Sequence, residues 1–190
     1  MPFTRWITPT NVPKRFTTQM YLYFLPLEVS DLPVGQHAVI PMPTDDGGVE
    51  HTEAKFAECA EWLERATRND IILFPPQFYL LSLLAPFLGR GKLEREVLEK
   101  QREDIRRFLH TDGDGRGILW GEKVMSPIGL QFAKDGRSVI GLDKPGLELS
   151  GRGRGGDHER VMLVNFKKEG PRDVEVRRRV DVLDERREKL

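Results

Sequence analysis

Two short stretches carry residue types that could hold an ion. TDGDGRG, residues 111–117, sets Asp112 and Asp114 at the first and third positions of a calcium-type loop and Gly117 at the sixth. Such a loop wraps a hard cation in oxygen ligands and closes with a bidentate glutamate at its twelfth position. Lys123 stands at that position here, so calcium is not expected. GRGRGGDHER, residues 151–160, puts Arg152 and Arg154 among glycines. Two guanidinium groups in that setting suit a phosphate or an RNA backbone. No aromatic residue alternates with them, and a loop beside a hairpin explains the same composition.

Other candidates are single residues. Arg5 and Arg15 flank a strand pattern, where their guanidinium forks fit either phosphate oxygens or nearby acids. Gln77, Phe78 and Tyr79 follow the pair Pro75–Pro76. A helix starting there offers free N–H groups to a phosphate or carbonyl, while the two rings suit packing equally well. His37, His51, His110 and His158 are scattered without ligand spacing, which gives no zinc site. Cys59 shares an apolar helix face with Ala60, which predicts a buried, inert thiol. There is no serine elbow.

These residues need elements to hold them. Thr17–Leu27 reads as an aromatic and apolar strand, and PTDDGG at 43–48 as a loop. Phe56, Cys59, Ala60, Leu63 and Ala66 recur at helical spacing behind Thr52 as N-cap, with Glu53 in the first turn. Asn69–Asp70 ends that helix, and Ile71–Phe74 reads as a short buried strand. Pro75–Pro76 pre-sets the first turn of a helix that is apolar on most faces. Residues 93–110 predict a charged amphipathic helix with Leu93, Val97, Ile105, Phe108 and Leu109 turned inward. The remainder reads as strands, ILWGEKVMSP, SVIGL, ERVMLVNFKK and VEVRRRVDVL, between glycine- and proline-rich turns. The order implies an α/β or α+β layered domain.

The 190 residues suffice for a core without disulfide or metal staples. Thirty basic and thirty acidic residues cancel, so there is no global pull towards nucleic acid or anionic membrane. The longest apolar stretch, FYLLSLLAPFL, is too short to span a bilayer, and the start lacks a secretory leader. A cytoplasmic protein is the expectation. The terminal EKL echoes the peroxisomal S-K-L address, with Glu188 in place of a small residue.

RWITPTNVPKRFTTQMYLYFLP, residues 5–26, resembles the segment after the catalytic helix in Nudix hydrolases of the coenzyme A diphosphatase type. That pattern is R-W-[IL]-T-P, a gap, R-F-[DT]-T, then a hydrophobic strand ending in proline. EHTEAKFAECAEWLERATRNDIILFPPQFYLL, residues 50–81, is similar to the next block, a glutamate, a helix and L-x-P-P-Q-F-Y. The remainder, with WGEKVMSP and LDKPGLEL, resembles the C-terminal extension of fungal members. The resemblance implies a Nudix-like α/β/α sandwich, incomplete at its N-terminal side. Residues 1–110 would be its second half and residues 111–190 a β-rich extension packed on it.

The resemblance also implies a chemistry. Water activated by Mg²⁺ or Mn²⁺ would attack the diphosphate of coenzyme A or acyl-CoA, releasing 3′,5′-ADP and a phosphopantetheine product. Glu50 matches the family glutamate near the base or metal-bound water, with Arg5, Arg15, Gln77, Phe78 and Tyr79 on the substrate side. The glutamate box that holds the metal is missing. Its nearest echo, REVLEK at 95–100, has Lys100 at the final glutamate and Arg102 at the glycine, and follows PPQFY in the wrong order. A solvated charged helix accounts for it. Three expectations remain, in this order: a hydrolase by descent whose box lies outside the given sequence or whose catalytic competence is lost, a non-catalytic binding or scaffold protein, and an RNA-associated protein using the GRGRGG loop. On the second of these, the protein keeps the substrate-side half. The non-catalytic protein would close its bare apolar edge as a homodimer or with a complementing partner.

Overall fold

Val161-Met162-Leu163-Val164 is an unbroken apolar run, which suits a strand covered on both faces. The structure, a computed structural model describing residues 1–27 and 55–184, bears this out. We number its strands β1 (Pro2–Ile7), β2 (Thr17–Tyr21), β3 (Val124–Met125), β4 (Ile128–Phe132), β5 (Ser138–Leu142), β6 (Asp157–Lys167) and β7 (Gly170–Arg178). The helices are α1 (Cys59–Thr67), α2 (Pro75–Leu84), α3 (Arg95–Leu109) and α4 (Arg179–Asp184). Strands β4-β5-β6-β7 form an antiparallel sheet in chain order. Along β6, Val161 and Leu163 join Val139 and Val182 on one face, while Met162 and Val164 join Ile140 and Leu142 on the other. The period of two thus splits one strand between two cores.

The second sheet is smaller and joins distant segments. Its order is β2-β1-β3, with β1 antiparallel to β2 and parallel to β3. Phe3 and Trp6 of β1 enter the larger core with Tyr79 and Leu80 of α2, Ile105 and Leu109 of α3, and Trp120. Edge-on ring contacts run through it: Trp6–Tyr79 at 5.7 Å, Phe3–Trp120 at 6.2 Å and Phe3–Phe108 at 6.3 Å. This core draws on residues from both sides of residue 110, so the mixed α+β architecture is continuous across it.

Local expectations and structure part at several places. The strand expected over Thr17–Leu27 ends at Tyr21, and within ILWGEKVMSP only Val124–Met125 is strand. Cys59 is half-buried, its thiol donating to the Leu81 carbonyl at 3.3 Å. Helix α1 starts at Cys59, leaving Phe56 outside it and exposed; Thr52 and Glu53 lie outside the described residues. Ile71–Phe74 pairs with no strand among the described residues. Ile71 and Leu73 pack on the core while Ile72 and Phe74 face out, so the segment is an extended lead into α2. Val97 is exposed, because the buried stripe of α3 is carried by Ile105 and Leu109 in its last two turns. The strand expected through Val180–Leu183 is instead α4, whose Val182 caps the second core. Tertiary packing overrides β-propensity there.

One buried ion pair ties the β3 entry to the loop at 111–117. The Lys123 ammonium lies 3.0 Å from Asp114 Oδ1, with side-chain exposures of 0% and 1%. It also donates to the Gly156 carbonyl at 3.2 Å and sits 5.1 Å from the Trp120 ring centre. Asp112 accepts the N–H groups of Gly115 and Gly117. Gly113 has φ +70°, and a Cβ there would lie 2.7 Å from Trp120 Nε1, so only glycine fits. The calcium-type loop therefore closes around its own lysine.

Lys123→Met is expected to destabilise the protein by about 3–5 kcal/mol in denaturant unfolding, because Asp114 stays buried without its cation. The double change Lys123→Met, Asp114→Asn should recover much of that loss. A pH effect is expected at Asp143. Burial pushes its carboxyl up, but Arg179, 3.0 Å away, outweighs burial and holds it below the usual range. The folded state then gains stability that is complete above the unfolded value of about 3.9 and fades as pH falls through the lower folded value. Unfolding curves between about pH 6 and pH 2 should show a shallower acid loss for Asp143→Asn.

Candidate functional site

Guanidinium groups from two distant segments meet beside β1. Arg5 is the outward residue of β1 opposite Gln19 of β2. Its backbone N–H donates to the Lys123 carbonyl at 2.9 Å, and Val124 N–H donates to the Gly155 carbonyl at 3.0 Å. The ends of β1 and β3 and the glycine-rich run before β6 are thereby held in one layer. A cleft of about 660 Å³ opens there, lined by Arg5, Gln19, Tyr21, Glu122, Arg152 and Arg154, with apolar walls from Pro2 and Leu149.

The polar groups are set by their neighbours. The Gln19 amide donates to the carbonyls of Thr4 at 3.0 Å and Met20 at 3.1 Å. Its oxygen is left to accept from Arg5 Nε at 3.2 Å, which aims the guanidinium along the cleft. Arg152 and Arg154 have no side-chain hydrogen bond or ion pair among the described residues. Glu122 is the single acidic residue lining the cleft, against three cationic ones. Such a surface attracts an anion with several oxygens, because planar guanidinium forks pair bidentately with phosphate or carboxylate.

The sequence candidates are distributed as follows. Arg5 joins Arg152 and Arg154 in the cleft. Arg15 does not; its Nε donates to the Thr8 carbonyl at 3.1 Å and its Nη1 pairs with Glu148 at 2.5 Å. That pair holds the Glu148 carboxyl below the usual range and ties the β1–β2 connection to the turn at Leu147–Leu149. Gln77 is exposed in the first turn of α2. Phe78 packs in the core, and Tyr79 is 0% exposed with its hydroxyl donating to Asp157. Burial and the Asp157 charge push the Tyr79 phenol well above its ordinary range, so it remains a neutral donor. Glu50 lies outside the described residues.

Gln19, Tyr21 and Glu122 were not singled out from sequence. The register pairing Arg5 with Gln19 and Pro2 with Tyr21 places two of them, and a hairpin alignment of PFTRWI with TTQMY carries that signal. Asp157 is a second omission. It accepts from Tyr79, from Arg160 Nη1 at 2.9 Å and from Glu159 N–H at 2.8 Å, and so anchors the start of β6.

Among the described residues, no group of three or more His, Cys, Asp or Glu side chains is placed to hold a metal. No described helix is long and apolar enough to cross a membrane. Arg15→Gln is expected to speed amide exchange across residues 147–152 while leaving β1 and β6 protected, because the lost pair is the side-chain tie on that turn. Comparison with known proteins finds no matching family model, no matching curated protein and no matching solved structure.

Proposed function

We propose that the chain binds a phosphate-bearing small molecule of the nucleoside-diphosphate type, such as coenzyme A, in the arginine cleft. It would do so as the substrate-side portion of a Nudix-like protein. One observation carries this reading: Arg5, Arg152 and Arg154 line one cleft, and the last two have no anionic partner among the described residues. Tyr21, exposed on the cleft wall, offers a ring face to a base. The described residues do not fit Mg²⁺ or Mn²⁺, since the cleft supplies a single carboxylate, so no metal-dependent step is assigned to them.

A second reading, a binding or scaffold protein that pairs with another copy or a complementing chain, draws support from β2. Among the described residues that strand is the outer member of its sheet, and Phe16, Tyr21 and Tyr23 around it are exposed. An edge that the described residues leave unpaired, with aromatic neighbours, is a template for a further strand.

Calorimetry with coenzyme A, 3′,5′-ADP and pantetheine separates these readings. The two phosphorylated compounds should bind and pantetheine should not. Arg152→Ala and Arg154→Ala should each weaken binding by about ten-fold or more, the range of a lost charge-assisted hydrogen bond. Unchanged affinity in both variants would remove the cleft from the proposal. Release of 3′,5′-ADP in the presence of Mg²⁺, abolished by EDTA, would assign hydrolysis to this chain.

A further inference from the structure

A second cavity of about 660 Å³ lies on the other side of the Leu147–Leu149 turn, and its character is opposite to that of the arginine cleft. Val12, Ile128, Ile140, Leu147 and Phe166 line it, together with prolines from three connections. Leu147 and Phe166 are 73% and 59% exposed, so large apolar surface is left facing water around an open groove. A groove of this size, apolar with a few convergent polar groups, has the form of a small-molecule site.

Two of the groove's polar residues, Ser126 and Lys144, are neighbours. Ser126 donates its backbone N–H to the Lys144 carbonyl at 2.7 Å, which sets the two residues side by side on the groove wall. Ser126 is 3% exposed, yet its hydroxyl has no hydrogen-bond partner among the described residues. Lys144 is the one charged residue lining the groove. Its ammonium lies 3.5 Å from Asp143, but that carboxylate is already paired with Arg179 at 3.0 Å. Lys144 can therefore turn to an incoming anion without stranding Asp143.

We propose that this groove binds an apolar monocarboxylate, an unbranched chain with one anionic head, as a site separate from the arginine cleft. The head meets Lys144 and the Ser126 hydroxyl, and the chain lies across Ile128, Ile140, Leu147 and Phe166. The one lysine lining the groove matches a single carboxylate and not the spread charge of a diphosphate. The remaining polar lining, Thr10, Asn11, Ser138 and Ser150, is uncharged, and the apolar walls match a chain.

The test is a binding series on the full chain, followed by calorimetry or ligand-observed NMR, using hexanoate, octanoate, decanoate and the alcohols of equal length. Affinity for the acids should rise about two- to four-fold per added methylene, the effect of burying each CH₂ partly or fully. Lys144→Met should lower acid affinity about ten-fold and leave alcohol affinity unchanged. Leu147→Asp, a change at an exposed position, should abolish binding of both while the far-UV spectrum and coenzyme A binding stay as in the parent. Absence of binding throughout the series overturns the proposal. Equal binding by the Leu147→Asp variant does so too, since the ligands would then sit elsewhere. If acids and alcohols bind alike before and after the Lys144 change, the carboxylate assignment is wrong.

Discussion

A lysine ammonium buried to 0% exposure is the constraint around which the described residues are arranged. Its charge is neutralised by Asp114 from one loop, by the Gly156 carbonyl from the start of β6, and by the Trp120 ring face. Asp114 and Trp120 are close to Lys123 in sequence, but Gly156 lies 33 residues away, so the ion is fully satisfied only when the chain has closed. The same residue then serves the sheet. The Lys123 carbonyl accepts the Arg5 N–H, and the next residue, Val124, donates to Gly155. A buried cation thereby fixes the spacing between β1 and the glycine-rich run that carries Arg152 and Arg154. The cleft lies beside the seat of the ion pair, and its geometry depends on that seat.

The close approach at Gly156 follows from this arrangement. A Cβ there would lie 2.0 Å from the Leu142 carbonyl oxygen, so the backbone of 155–156 passes against β5 where no side chain fits. GRGRGG reads as a flexible loop in the sequence, but its last glycine is there for contact. Its earlier glycines, Gly151 and Gly153, have φ of +75° and +64° in open space, where they turn the chain and leave the arginines at the surface. One glycine-rich segment therefore does two jobs, and composition alone cannot separate them.

Elements encoded by strong local periodicity were legible in the sequence. The apolar run of β6, the Pro-Pro start of α2 and the charged faces of α3 each carry their own signal. Ile71–Phe74 and Val180–Leu183 were misread because a short stretch rich in apolar and β-branched residues looks alike whether it pairs as a strand or covers a core. Of the site, the three arginines were visible one by one, in two separate arguments. Their convergence was not, since it rests on the parallel pairing of Arg5 with Val124, which no local pattern encodes. In the calcium-type loop, Lys123 at the twelfth position pairs with Asp114 at the third, a contact that the loop pattern alone did not announce.

The two cavities share one wall. Leu147 and Ser150 line the apolar groove, Leu149 and Arg152 the cationic cleft, and Glu148 between them is held by Arg15. The cleft lining is cationic, with three arginines against one carboxylate. An anion bound among these arginines would engage the folded chain and not the unfolded one, so its binding energy would add to stability by mass action. The buried Lys123–Asp114 pair and the exposed arginines thus stand in opposite relations to charge. The first is satisfied within the protein and sets the geometry, and the second leaves a surplus that a ligand can complete.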